Sequence, residues 1–359
     1  FANPNENAFP RSRIGIVGLR HNFILNNTSY VKTVISTSAN ESLFTQDNIL
    51  ENGDKLRVTE VDDLTRRVAV NTYLNKKFSA RTTMRTGAMI QNIGLSSSVM
   101  DRDNRPDLNE DGLPDWFLVR DVDESLNLLE VYAQVQHKLS QQWTLNAGLH
   151  GQYLDFTEKG VLEPRLALNW NFKPQHTINL AYGLHSQMPN LPLLFLREPV
   201  GDDFIASNSD LDFTRSHHFV LGHDWRFADS WRMKTELYYQ AITHVPVERE
   251  SSSFSALNAG ADFEFPTDKF DLVNEGTGEN YGLELTLERF FSKGYYGLLT
   301  ASVFESTYEG SDGIERNTAF NNQYVFNMLG GKEFKVGKAK KNAVTLDFRV
   351  AYGGGRYYT

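Results

Sequence analysis

Apolar and polar residues take turns along most of this chain. In WTLNAGLHGQY, Trp143, Leu145, Ala147, Leu149, Gly151 and Tyr153 fall on one face, and Thr144, Asn146, Gly148, His150 and Gln152 on the other. HTINLAYGLH sets Ile178, Leu180, Tyr182 and Leu184 against Thr177, Asn179, Gly183 and His185. LEPRLALNWNF sets Leu162, Leu166, Leu168, Trp170 and Phe172 against Glu163, Arg165, Asn169 and Asn171. LLEVYAQVQHKL sets Leu129, Val131, Ala133, Val135 and Leu139 against Glu130, Gln134, Gln136 and Lys138. Successive side chains of a β-strand point to opposite faces, whereas an amphipathic helix needs apolar residues three and four apart. The pattern therefore predicts strands that are apolar on one side and polar on the other.

Followed along the chain, the alternation predicts about fourteen strands, near 12–25, 28–44, 64–78, 80–96, 126–139, 141–156, 161–173, 175–187, 213–228, 230–243, 280–292, 294–309, 322–336 and 341–356. They exceed the roughly five or six residues usual in soluble sheets and suit a tilted bilayer span of about 9 to 11 residues. Short polar turns (NNTS, NKKFS, SQQ, KPQ, ADS, SKG, VGKAKK) alternate with long joints near 45–63, 97–125, 188–212, 244–279 and 310–321, and only the joint near 157–160 breaks the rule. Outer-membrane barrels have short periplasmic turns and long outer loops. Trp143, Trp170, Trp225 and Trp231 lie close to short turns with Phe78, Phe172, Phe227, Phe291 and Tyr295, as expected of an aromatic girdle at the inner interface, while Trp116 sits in a loop. The fold class expected is all-β, an antiparallel transmembrane β-barrel.

Composition removes several alternatives. The 359 residues are 40% hydrophobic and 12% aromatic, enough to fold, and include no Cys, which excludes disulfide scaffolds, thiolate zinc sites and cysteine nucleophiles. A net charge of -9 argues against nucleic acid as a partner. The mean hydropathy of -0.44 and the lack of a long apolar run exclude helical spans but not a barrel, whose apolar surface sits on every second residue. A soluble β-propeller, the non-membrane rival, would repeat short strands at about 40 to 50 residues, and the irregular spacing disfavours it.

With the short turns placed in the periplasm, the first strand runs inward and the last runs outward, so both ends of the chain fall on the outer side. A lipid-facing edge would leave its backbone groups unpaired at several kcal/mol each. At least one further strand is therefore expected beyond each end. FANPNENAFP carries no signal peptide, so an exported protein with this start is a mature or trimmed chain.

EPRLALNWNFKPQHTINLAYGLHSQMPNLPLLF (163–195) resembles the mid-barrel hairpin of TonB-dependent outer-membrane receptors, and NYGLELTLERFFSKGYYGLLTASVFESTYEG (280–310) resembles a later hairpin of that family. RIGIVGLRHNFILNNTSYVKTVISTS (13–38) and VAYGGGRYYT (350–359) are similar to other strands of it. The resemblance implies a 22-strand barrel of which residues 1–359 form a part, a plug domain that normally precedes the barrel, and uptake of a scarce nutrient driven through the TonB complex. Nothing in 1–359 resembles a plug or a TonB box. It also implies a Gram-negative outer membrane, its lipids as partners and no enzymatic reaction; a surface lipoprotein partner stays open. A passive diffusion channel is the alternative, and an outer-membrane enzyme would need a luminal Ser or acid with His in reach.

One loop carries candidate chemistry. In DLNEDGLPD, Asp107, Asn109 and Asp111 alternate, Gly112 permits a sharp turn and Asp115 follows, as in the first part of a calcium loop; Leu118 stands where the final Glu belongs, with Asp121 or Asp123 as substitutes. The other reading is an acidic solvated loop. His150 and His185 fall on polar faces and could meet in the lumen, while adjacent His217 and His218 must point to opposite faces. Pore-lining hydrogen bonding is the main expectation for them, and a metal site the minor one. Loop 188–212 and loop 244–279, with Phe254, Phe263 and Phe265, either pack against neighbouring loops or touch substrate. Gly353, Gly354 and Gly355 mark a bulge or the start of a loop.

Overall fold

Long alternating segments pair with their neighbours in sequence, because each two-residue turn returns the chain beside itself. A computed structural model describes residues 5–102, 106–107, 110, 112–200, 203–259 and 269–357. The strands are β1 (Glu6–Asn26), β2 (Ser29–Ile49), β3 (Lys55–Lys77), β4 (Thr82–Asp101), β5 (Phe117–Lys138), β6 (Trp143–Leu154), β7 (Lys159–Lys173), β8 (His176–Gln187), β9 (Glu198–Val200), β10 (Asp203–Ile205), β11 (Thr214–Ala228), β12 (Trp231–Glu248), β13 (Leu272–Ser292), β14 (Tyr295–Glu309), β15 (Glu315–Asn317), β16 (Tyr324–Val336) and β17 (Asn342–Gly353). The single helix among the described residues, α1 (Leu191–Leu194), is one turn with Pro192 near its start. One antiparallel sheet runs β1 to β8, then β11 to β14, then β16 and β17, with β15 folded back on β14. β9 and β10 form a separate hairpin.

All fourteen expected strands are present, and the main difference lies at their outer ends. β3, β5 and β13 begin at Lys55, Phe117 and Leu272, earlier than the alternation indicates. A strand rises about 3.3 Å per residue, so even a strand tilted by about 45° crosses the ~25 Å apolar band of such a barrel in roughly 11 residues. The 23 residues of β3 therefore stand well clear of it. Out there one side meets water and the other meets loops, so the two-residue period fades while the backbone ladder continues.

The short turns explain themselves locally. Ser292 pairs with Tyr295 around Lys293 and Gly294, both at positive φ (54° and 80°), the mirror-image turn whose twist matches a hairpin. Lys173 pairs with His176 around Pro174 and Gln175, the latter at φ 70°, so proline supplies the first corner and a left-handed residue the second.

The outward face is apolar along its whole width. Val17 (71% exposed), Val131, Leu180, Leu221, Leu283 and Leu346 (70%) all stand off the wall. In water such a surface would far exceed the few hundred Å² that a monomer tolerates, whereas in hydrocarbon each Leu, Ile, Val or Phe is favourable by about 0.3–0.6 kcal/mol. No helix of the described residues is long and apolar enough to cross a membrane.

At the short-turn end the aromatics form a connected belt. Trp143 stacks on Trp170 at 5.0 Å, Trp170 meets Phe172 at 5.3 Å, and the chain of rings continues through His176, Trp225 and Phe227 to Trp231. Arg289 then bridges Trp231 and Tyr295. The belt also contains two histidines, His176 and His223, stacked at 5.4 Å. Rings of this kind gather at headgroup level, so the belt marks the inner interface.

Candidate functional site

Parity assigns the polar residues to the concave face, and register decides which of them touch. Gln91 on β4 donates to Glu130 on β5 (2.7 Å). His150 on β6 lies between Glu130 (3.4 Å) and Glu163 of β7 (2.6 Å). Glu163 also accepts from Gln152 (2.9 Å) and Arg165 (2.7 Å). Across the next strands, the rings of His185 and His218 lie 4.6 Å apart, His218 meets Gln240 at 3.5 Å, and Asn280 donates to Gln240 (3.0 Å). A polar band thus crosses the inner wall from β4 to β13.

Pro164 sets the centre of this band. The β7–β8 ladder runs from Lys173 and His176 to Arg165 and Gly183 and goes no further. Proline has no N–H to continue it. Where the ladder stops, the Glu163 side chain turns into the wall and is wholly shielded from solvent. A carboxylate removed from water needs partners for both oxygens, and His150, Gln152 and Arg165 provide them. The neighbouring Gln152 also reaches the Ser186 carbonyl at 3.3 Å, joining β6 to β8 across the gap.

Toward the short turns, the wall opens into a recess of about 490 Å³ whose polar lining includes Arg85, Gln134, Gln136, Asn146, Arg165 and His185. Toward the long loops the character reverses. Loop 188–212 folds onto the inner wall and buries Leu193, Leu194, Phe195 and Leu211, with Phe213 beside them, against Ile93, Leu95, Leu126, Leu128, Leu154 and Leu272. Asn208, fully buried, donates to the carbonyls of Leu193 (2.9 Å) and Lys269 (2.8 Å) and accepts from the Leu272 amide (2.9 Å). It ties three segments of the mouth together. Leu193, Leu194, Phe195 and Leu211 of this loop therefore pack among themselves and on the wall.

Further out, Arg120 is buried with Asp63, donating to both of its carboxylate oxygens at 3.0 and 3.1 Å, and Ser97 bonds to each. Arg249 and Asp271 pair at 2.7 Å on the exposed rim, and Arg316 and Asp312 at 2.6 Å beside β15. In both pairs the guanidinium hydrogen bond holds the carboxyl below the usual carboxylate range.

His150 and His185 do lie on the luminal face, but each meets a different partner. His217 faces outward to Tyr182 (3.0 Å) while His218 faces His185, as their adjacency requires. Among the described residues no group of three or more His, Asp or Glu could hold a metal ion. Of the candidate calcium loop, Asn109 and Asp111 lie outside the described residues; the Asp107 carboxylate accepts from the Gly112 amide (2.8 Å), and the Asp115 amide donates to the Pro106 carbonyl. Phe263 and Phe265 also lie outside the described residues, and Phe254 packs against the mouth cluster. β17 ends at Gly353; beyond it the Gly354 amide donates to the Tyr324 carbonyl (3.0 Å) and the Gly354 carbonyl accepts from the Asn322 side-chain amide (3.2 Å).

The His150–Glu163 contact supplies part of what a luminal enzyme would need. Both ring nitrogens of His150 face carboxylates, however, and no described hydrogen bond brings a hydroxyl to it. Thr82 and His137 touch at 2.8 Å, but on the outward face, where His137 stands opposite Leu145.

The family described as TonB dependent receptor-like, beta-barrel matches residues 1–359. Among solved structures, the ferric-catecholate import receptor Fiu of E. coli K12 in its closed form superposes with a TM-score of 0.67 at 11% identity, covering 92% of this chain and 52% of that one. The ferric yersiniabactin uptake receptor FyuA from Yersinia pestis gives 0.68 at 10%, covering 98% and 51%. The RagAB peptide transporter gives 0.61 at 9%, covering 97% and 48%. No curated protein matches the sequence. The chain spans about half the length of these solved relatives, in the antiparallel wall of an outer-membrane barrel. This chain belongs to the TonB-dependent receptor family, in its β-barrel part, a family of outer-membrane transporters rather than enzymes.

Proposed function

We propose that the protein takes up a scarce polar nutrient across the outer membrane by TonB-coupled active transport. The match of the family to residues 1–359 carries this reading, and the wall supports it chemically. Beneath an apolar packed mouth, the lumen presents amides, guanidinium groups and imidazoles at Gln134, Gln136, Asn146, Arg85, Arg165 and His185. Such groups hold a cargo rich in hydrogen-bonding atoms, and few placed polar groups fix its orientation. The relatives named above are described as taking ferric catecholate, ferric yersiniabactin or peptide, and each of those cargoes has that chemistry. Further strands beyond β1 and β17 close the wall toward 22, and a plug engages the TonB complex.

Uptake of labelled ferric siderophores, peptides and glycans by cells expressing the intact gene, with and without a working TonB complex, tests this. The expected result is saturable uptake of one class that disappears without TonB. Uptake that rises linearly with concentration and ignores the loss of TonB would instead establish a passive channel.

A further inference from the structure

On the lipid-facing side of the wall, Gly297 of β14 stands directly opposite Gly330 of β16. Two adjacent glycines leave the outer surface without side chains, and a groove of about 660 Å³ opens there. Leu287, Leu299, Met328 and Phe348 line its deeper part. At its inner end, level with the aromatic belt, Arg289 and Lys332 lie 5.3 and 4.6 Å from the ring of Tyr295.

These two cations have no carboxylate partner among the described residues. Their neighbours in sequence, Glu288 and Glu333, point to the other face and pair with Arg232 (3.9 Å) and Lys335 (2.7 Å). Asp347 also faces inward, where Tyr296 donates to it at 2.7 Å. Arg289 donates one bond to the Ser292 carbonyl (3.3 Å), and its buried Nε has no acceptor. Two uncompensated positive charges at headgroup depth, with an apolar trough running from them toward the bilayer centre, have the layout of a phospholipid in reverse.

We propose that this groove binds a single anionic phospholipid of the inner leaflet. Its phosphate sits between Arg289 and Lys332, where a guanidinium presents paired donors, and its acyl chains lie over Gly297 and Gly330. A zwitterionic headgroup fits less well, because the rim offers no carboxylate for its ammonium and cations already occupy the Tyr295 ring.

Native mass spectrometry of the intact protein, released from micelles holding equal amounts of phosphatidylglycerol and phosphatidylcholine, tests the assignment. The wild type should retain one phosphatidylglycerol in preference by about tenfold or more, since each cation near a membrane surface favours an anionic lipid. Arg289→Gln with Lys332→Gln should bring the ratio near one. Gly297→Leu fills the groove while keeping both charges, its Cβ meeting only the Leu329 carbonyl at an ordinary 3.7 Å, and should lose the lipid. Lys338→Gln with Lys341→Gln, in the exposed β16–β17 turn, removes equal charge and should leave the preference intact. A wild-type ratio near one overturns the proposal, as does a preference that survives either groove variant or vanishes equally in the turn variant. If the double groove variant does not fold, Gly297→Leu decides alone.

Discussion

Leu180 shows how one residue's setting is decided by parity. It faces outward near the middle of β8, flanked across the ladders by Leu168 and Leu221. Asn179 beside it faces the lumen. Leu180→Arg should destabilise the protein by about 2–4 kcal/mol, the penalty for a cation on the lipid face near the midplane, while Asn179→Arg should cost far less because the luminal side is wet. Denaturant unfolding in lipid vesicles measures both, and equal losses would show that the two faces are assigned wrongly. Gly87 illustrates the opposite constraint: a Cβ there would stand 2.7 Å from the Thr72 carbonyl oxygen and 2.9 Å from the Tyr132 hydroxyl. That glycine is required by the close approach of its neighbours, whatever its local propensity.

Among the elements, the strands and the loops are stabilised differently. Each strand is held by two ladders and an apolar face in lipid, so its boundaries follow the backbone beyond the bilayer. The loops depend on side chains such as Asn208 and on ion pairs at the rim. Arg316 keeps the Asp312 carboxyl below its ordinary value, so the ionised pair contributes fully above about pH 4 and is lost as the pH falls through the depressed value. A carboxylate titration followed by isotope-edited NMR should place Asp312 below the usual range in the wild type and return it there in Arg316→Gln. An unchanged midpoint in the variant would mean that the pair exerts no such hold.

As a whole, the described residues form a curved wall with two free edges, since β1 and β17 each pair on one side only. Backbone groups facing hydrocarbon need partners, so both edges should be covered in the intact protein. Hydrogen exchange tests this directly: amides of β1 and β17 should be protected as strongly as those of β6. Fast exchange along either edge would show an unsealed seam.

The alternation of Trp143 to Tyr153 was sufficient to place a strand and its lipid face, because a period of two follows from backbone geometry alone. The two-residue turns and the position of the aromatic belt were likewise legible, since Pro174, Gly294 and the tryptophans act through local preferences. Parity also marked Glu130, His150, Glu163 and Arg165 as luminal. It could not say that Glu163 would be shut from solvent and shared by three donors, because that depends on the β6–β7 register and on where Pro164 ends the next ladder. Nor could it show that loop 188–212 packs inward on Leu126 and Leu128, or that Gly297 meets Gly330. Contacts between residues distant in the chain are fixed by how strands slide and curve against one another, and only the tertiary structure decides that.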